Sequence, residues 1–302
     1  MSKEYRINVN VATVWTSPES VRAIDFPAIT SPTDISQWLK ALEYEPRAAL
    51  SSENLVQTQA LFGQTVLLLN ETEEWAHIIV SDQPSSKDSR GYPGWVPKCQ
   101  LTAKTSIEEP RELYAVVTSP LAILYDEQKN PDLLLSFQTR LQVIQETHSW
   151  IRVDTPNGVR LLRSSDVRIS KEGSSRNGSG ADIVAIGEVF LGLPYLWGGM
   201  TGFGFDCSGF AYTMCQANGY TIPRDAHDQA KSGQAVALDQ LRPGDLLFFA
   251  YEEGKGRVHH VGIYYGEGQM IHAPNTGRSV EIITLEGTLY EKELCVARRY
   301  FS

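Results

Sequence analysis

The feature that most constrains how this chain folds is a repeat in its N-terminal half. Glu71-Thr72-Glu73-Glu74-Trp75-Ala76-His77-Ile78 lines up with Glu146-Thr147-His148-Ser149-Trp150-Ile151-Arg152-Val153 at an offset of 75 residues, each after an apolar run. A repeat of that period implies two copies of one supersecondary unit, not a single continuous core. Upstream, Val14-Trp15-Thr16-Ser17-Pro18 resembles Val116-Val117-Thr118-Ser119-Pro120 at an offset of 102, which puts about 27 extra residues in the first copy. Within them, Ser31-Pro32-Thr33-Asp34 signals a helix start, and Ile35, Trp38, Leu39 and Leu42 keep helical spacing up to Pro46, the expected breaker. Short alternating strands between Gly, Pro, Asn and Asp turns surround this helical insert, the pattern of a small β-barrel. The spacing predicts two barrels, at 1–105 and 106–170.

Lys171 to Gly180 holds no apolar residue and is rich in Gly and Ser, so 171–180 reads as a linker ahead of a third domain at 181–302. At about 150 residues per domain a chain of 302 residues accommodates two domains, or three small ones. Ile183, Val184, Ile186, Val189 and Phe190 mark a helix that ends near Gly192 and Pro194. A second helix is expected from Cys207 to about Asn218-Gly219, with Phe210, Ala211, Met214 and Cys215 on its buried face. From Asp245 the pattern turns to strands: 246–249, 258–265, 270–273, 280–285 and 295–300. Helices first and sheet second make the C-terminal domain α+β.

A net charge of −9 argues against a nucleic-acid partner or an anionic membrane surface. No apolar run approaches the roughly 18 residues of a membrane helix, and the first residues carry no secretory leader pattern, so the expected compartment is the cytoplasm unless a leader has been removed. Cys99, Cys207, Cys215 and Cys295 form no Cys-x-x-Cys pair and read as free thiols. They and the six histidines lack the spacing of a zinc site, so no metal or other cofactor is expected.

Asp206-Cys207-Ser208-Gly209-Phe210 places a thiol in the first turn of the second helix, where unpaired amides and the positive dipole end favour a thiolate. Cys99, Cys215 and Cys295 read instead as small buried hydrophobes. Glycines at 198, 199, 202 and 204 would let a substrate backbone approach the sulfur. Alternation along Val258-His259-His260-Val261-Gly262-Ile263-Tyr264 puts His260 on the same face as Gly262, and one strand later His272 can lie beside it. A second imidazole there would fix the tautomer of the first, as the third member of a triad does. The bland alternative for either histidine is a hydrogen-bonded structural residue. Trp75 and Trp150, at equivalent repeat positions, are expected in the barrel cores, and His77, His148 and His227 on the surface.

The succession Pro194-Tyr195-Leu196-Trp197-Gly198-Gly199, Asp206-Cys207-Ser208-Gly209-Phe210, Arg242-Pro243-Gly244-Asp245-Leu246, His260-Val261-Gly262-Ile263-Tyr264 and Ile271-His272-Ala273 resembles the NlpC family of papain-like cell-wall cysteine peptidases. The resemblance covers 181–302. It implies Cys207 as nucleophile, His260 as general base, His272 as its orienting partner and Tyr195 as a hydroxyl near the oxyanion, with Asp206 and Ser208 lining the pocket. The two barrels look like bacterial SH3-like domains, and the whole chain is similar to the γ-D-glutamyl-L-diamino-acid endopeptidases that act on peptidoglycan stem peptides. In those relatives an SH3-like loop closes one end of the cleft, and an acidic and tyrosine set receives the free amine of a terminal L-alanine. Gly91-Tyr92-Pro93-Gly94-Trp95 resembles that loop, which makes Tyr92 and Asp225 the candidate amine-binding groups. Their alternative roles are a turn aromatic and a helix cap. The implied protein is a monomer acting on peptidoglycan-derived peptides. Its rivals are a D,L-endopeptidase or amidase on intact wall, and a wall-binding protein without catalysis. The identity of the diamino acid is left open.

Overall fold

The computed structural model describes residues 3–104, 112–171 and 177–302. The expected barrel junction at 105/106 and positions 172–176 of the expected linker lie outside the described residues. The chain forms two compact units: Met1–Ser81, Pro93–Ser174 and Thr201–Phe203 make one, and Asp82–Tyr92, Ser175–Met200 and Gly204–Ser302 the other.

The first unit holds two seven-stranded sheets. One is built from β1 (Glu4–Ile7), β2 (Val11–Trp15), β3 (Val56–Leu61), β4 (Thr65–Glu71), β5 (Trp75–Val80), β6 (Tyr92–Pro97) and β7 (Leu101–Ala103). The other uses β8 (Leu113–Val117), β9 (Leu121–Tyr125), β10 (Pro131–Ser136), β11 (Arg140–Glu146), β12 (Trp150–Asp154), β13 (Arg160–Arg163) and β14 (Val167–Lys171). Their orders, β3-β2-β6-β5-β4-β1-β7 and β10-β9-β13-β12-β11-β8-β14, match strand for strand. The repeat at offset 75 holds in atomic detail, with Thr72 N–H donating to Trp75 O at 2.8 Å and Thr147 N–H to Trp150 O at 2.9 Å.

The upstream alignment is corrected. Gly63 N–H donates to Ile7 O and Gln138 N–H to Val117 O, so β8 is the counterpart of β1, not of β2. The true offset there is 110, and the first copy carries 35 extra residues, all between β2 and β3. Alternating strands look alike at every two-residue step, which is why β2 could be matched to the wrong partner.

The insert is helical, with α1 (Phe26–Ile29), α2 (Ile35–Ala41) and α3 (Tyr44–Ser52). Asp34 caps α2 by accepting from Gln37 N–H at 2.8 Å. Pro46 is no breaker: it is the third residue of α3, in the first turn, where a missing N–H leaves no intrahelical bond unmade. Trp38 is fully buried against Trp15 of β2 and donates its indole N–H to Asp25, whose carboxylate Arg22 grips from the other side. The core of the second barrel, around Leu124, Leu135, Leu141, Ile151 and Leu162, also takes in Phe62 from the first. That shared core, with the Arg6–Asp154 ion pair at 2.9 Å, fuses the barrels into one unit. Trp75 and Trp150 are half-buried on the barrel flanks, because strand alternation gives the core face to Ala76 and Ile78 in one copy and Ile151 and Val153 in the other.

The second unit is α+β, as the patterning implies. α4 (Gly180–Glu188) starts at a reciprocal Ser179–Asp182 cap, and α5 (Cys207–Ala217) is buried along all but Gln216. α5 packs on a six-stranded antiparallel sheet ordered Gln234–Val236, Leu294–Arg299, Leu246–Ala250, Val258–Gly266, Gln269–His272, Glu281–Thr284. All four cysteines are free. Cys215 is buried as expected and Cys295 is half-buried, but Cys99 is exposed, on a turn between β6 and β7. Among the described residues no helix is long and apolar enough to cross a membrane.

Candidate active site

Asp206 ends the glycine-rich approach in extended conformation and caps α5, accepting from Gly209 N–H at 2.6 Å. Its carboxylate also receives Arg224, Nη2 to Oδ2 at 2.7 Å and Nη1 to Oδ1 at 3.1 Å. Ser208 Oγ donates to Asp206 Oδ1 at 3.2 Å and accepts from Arg224 Nη1 at 2.9 Å. Asp206 and Ser208, expected to line the pocket, therefore spend their side chains on one another and on Arg224, all three buried. They fix where the helix begins, and with it Cys207. The glycines of the approach do similar work. A Cβ on Gly199 would strike Gly204 O and Leu196 O, so packing of the chain on itself already requires glycine there.

The Cys207 sulfur is reached by the backbone N–H groups of Val261 and Ser208, yet burial, followed by the Asp206 carboxylate, pushes the thiol up to about 12. Burial, with His272 and His259 nearby, holds the His260 imidazole well below its ordinary range. Both shifts favour the neutral thiol and the neutral imidazole at rest. The helix dipole favours a thiolate, as the sequence suggests, but desolvation outweighs it.

His260 lies on the strand Val258–Gly266 and His272 ends the next, where Ile263 faces Ile271 and the register puts Gly262 opposite His272. A Cβ at Gly262 would come within 2.6 Å of Met270 Sδ and 3.4 Å of His272 Cβ, so glycine there admits the neighbouring strand's side chains. His260 Nε2 and His272 Nδ1 are 2.8 Å apart, which commits one nitrogen of His260 and leaves Nδ1 for another partner. Burial lowers His272 to about 3.

Two residues here have no motif to announce them. Glu281 is the cross-strand partner of His272, its Oε1 lying 3.3 Å from His272 Nε2 without hydrogen-bond alignment, and it is paired with Arg278 at 2.7 Å. Tyr290, from the short helix Leu289–Glu293, sets its ring 5.1 Å from both imidazoles. Only the strand register, one step past His272, could have signalled Glu281. Tyr195 is buried, and burial followed by the Cys207 sulfur holds its hydroxyl well above its usual range, so it remains a donor beside the thiol.

A second cluster forms around Asp225, which precedes α6 (Ala226–Gln229). Tyr92 Oη donates to both its oxygens, at 2.9 and 3.0 Å, with the ring buried. Lys87 Nζ lies 2.5 Å from Tyr92 Oη and 3.5 Å from Asp225 Oδ2. Two of the histidines expected on the surface have neighbours: His227, 44% exposed, sets Nε2 3.3 Å from Asp228 Oδ1, and His77 stacks on Trp95 at 4.9 Å. Asp225, His227 and Asp228 bring ligand atoms within 4.8 Å of one another, but Tyr92 occupies Asp225 and Ser86 N–H donates to Asp228, so these groups satisfy each other and we assign no metal.

Residues 192–299 match the NlpC/P60 family and 117–169 the YKFC SH3b2 domain. The chain is 49% identical, over 97% of both chains, to the Gamma-D-glutamyl-L-lysine dipeptidyl-peptidase of Bacillus subtilis. It is 42% identical to the enzyme of the same name from Bacillus cereus, over 97% of this chain and 90% of that one. A crystal structure of an NlpC/P60 family protein from Bacillus cereus superimposes with a TM-score of 0.95 at 41% identity, covering 99% of this chain and all of that one.

Proposed function

Because the chain belongs to the NlpC/P60 family of cysteine peptidases, we propose that it hydrolyses the γ-D-glutamyl-L-lysine bond of peptidoglycan-derived peptides bearing a free N-terminal L-alanine, releasing L-Ala-γ-D-Glu. The division into 1–105, 106–170 and 181–302 around the linker 171–180 goes with this reading. The observation that supports the dipeptide specificity is the Tyr92–Asp225 pair, a buried hydroxyl hydrogen-bonded to a carboxylate, a combination that would suit an ammonium.

In the proposed reaction His260 Nδ1 takes the Cys207 proton as the sulfur attacks the γ-carbonyl, so the charge pair forms only on attack. The Cys207 amide, in the first helical position where no intrahelical acceptor is available, and the Tyr195 hydroxyl hold the oxyanion. His260 then gives its proton to the departing amine, and water, with His260 again as base, cleaves the thioester. Polarity along the relay follows from its far end. The Glu281 carboxylate favours a proton on His272 Nε2, which leaves Nδ1 to accept from His260 Nε2–H and His260 Nδ1 to face the thiol. Replacing Glu281 by glutamine is expected to lower kcat by about 10- to 100-fold with little change in KM, and aspartate should restore part of it. An unchanged kcat for Glu281→Gln would remove Glu281 from the relay.

The specificity is tested with L-Ala-γ-D-Glu-L-Lys and its N-acetyl derivative. Acetylation removes the ammonium that Asp225 would pair with, an expected loss of about 3 kcal/mol or roughly 100-fold in kcat/KM. Equal turnover of both peptides would favour a D,L-endopeptidase or amidase on intact wall.

A further inference from the structure

The candidate amine subsite already holds a cation, and it belongs to the protein. Lys87 Nζ meets the Tyr92 hydroxyl at 2.5 Å and Asp225 Oδ2 at 3.5 Å, and lies 4.3 Å from the Tyr92 ring centroid. Hydroxyl, carboxylate and aromatic face are the groups a peptide ammonium would meet at the same place. The loop that carries the lysine is anchored at its base, where Ser85 Oγ accepts from Lys87 N–H at 3.1 Å and Ser86 N–H donates to Asp228 at 2.9 Å. The side chain is 37% exposed, so it can swing into water without movement of the backbone.

We propose that Lys87 is an internal competitor for the substrate's N-terminal ammonium and thereby sets affinity at this subsite. The inference rests on the amine-binding reading of Tyr92 and Asp225 given above. An incoming ammonium replaces the lysine like for like, so Asp225 keeps a counter-charge throughout. An acylated N-terminus must expel a cation and supply none, leaving the half-buried carboxylate uncompensated. The lysine thus lowers the affinity of every N-terminus that must displace it, while the preference for a free amine over a blocked one stays with Asp225. A subsite closed nine-tenths of the time binds about tenfold more weakly than an open one, because apparent affinity scales with the competent fraction.

The test compares the full-length protein with Lys87→Met, using L-Ala-γ-D-Glu-L-Lys, its N-acetyl form and the product L-Ala-γ-D-Glu as inhibitor. Methionine keeps the length and apolar stem and removes the charge. Lys87→Met is expected to lower both KM for the free tripeptide and the product inhibition constant by about five- to tenfold, with kcat within about twofold of the parent. A residue that merely stiffened the loop would not tighten product binding. If the parent rejects the N-acetyl peptide while Lys87→Met leaves both constants unchanged or raised, the competitor role is wrong and the amine subsite stands. If the parent accepts both peptides equally, the subsite reading fails and this inference with it.

Discussion

Cys207→Ala is expected to lower kcat for L-Ala-γ-D-Glu-L-Lys by about 10⁴-fold or more while leaving a folded protein. Among the described residues no other cysteine is placed to substitute for it: Cys99 sits on the turn between β6 and β7, Cys215 lies deep in the same helix, and Cys295 hydrogen-bonds to Phe248 O from a different strand. Loss of one buried sulfur leaves the supports of the helix start intact, because the Asp206 cap, Ser208 and the Arg224 pair do not involve the thiol. Folding should therefore be unchanged by circular dichroism and shifted little in thermal unfolding. The parent's chemical behaviour should show the neutral resting pair. With the thiol near 12, only a small thiolate fraction exists at neutral pH, so iodoacetamide should label Cys207 slowly, its rate rising across the alkaline range. Turnover by Cys207→Ala comparable to that of the parent would end the cysteine-peptidase assignment for this site.

What the sequence discloses about this site is its local part. A nucleophile at a helix start needs a cap residue before it and a buried face after it, both written within a dozen positions, and α5 begins at Cys207 as that pattern requires. His260 and His272 lie on adjacent antiparallel strands, so a short connection brings them together with little ambiguity of register. The less legible part depends on long-range partners. Glu281 follows a loop of no fixed length, Tyr290 comes from a helix too short to show periodicity, and Arg224 reaches across from a segment with no regular structure. The sign of the electrostatics was hidden for a related reason. A helix terminus can be read from sequence, whereas the depth of burial that raises the Cys207 thiol arises from packing between distant segments. The barrels show the same division: the repeat at offset 75 was plain where turn residues marked it, and misaligned where only alternation remained.

Arg224→Met is expected to destabilise the protein by about 3–5 kcal/mol, read as a lower midpoint in urea at unchanged m-value. The guanidinium is 1% exposed and its partner Asp206 7%. Burial by itself would lower the Arg224 pKa, but the Asp206 carboxylate, by charge and hydrogen bond, more than offsets this and holds the group above its ordinary range. Removing the cation strands the Asp206 carboxylate in the interior and takes the donor from Ser208 Oγ. The backbone N–H of Arg224 still donates to Pro84 O at 2.9 Å, so the loop 82–92 keeps that tether. The double variant Asp206→Asn/Arg224→Met should recover a large part of the lost stability, since no unpaired charge remains, while kcat stays depressed because the start of α5 is less firmly held. Arg224 and Asp225 are adjacent in the chain yet serve different clusters, the first bracing the helix that carries Cys207 and the second holding Tyr92. A shift of this dipeptide would therefore move Cys207 and the proposed amine subsite together. If Asp225 binds the amine as proposed, this two-residue segment sets the distance between a peptide's N-terminus and its scissile bond, and a folded Arg224→Met protein should lose its preference for the free amine along with its rate. Retained stability in Arg224→Met, with preference and rate both unaltered, would show that the buried pair bears on neither.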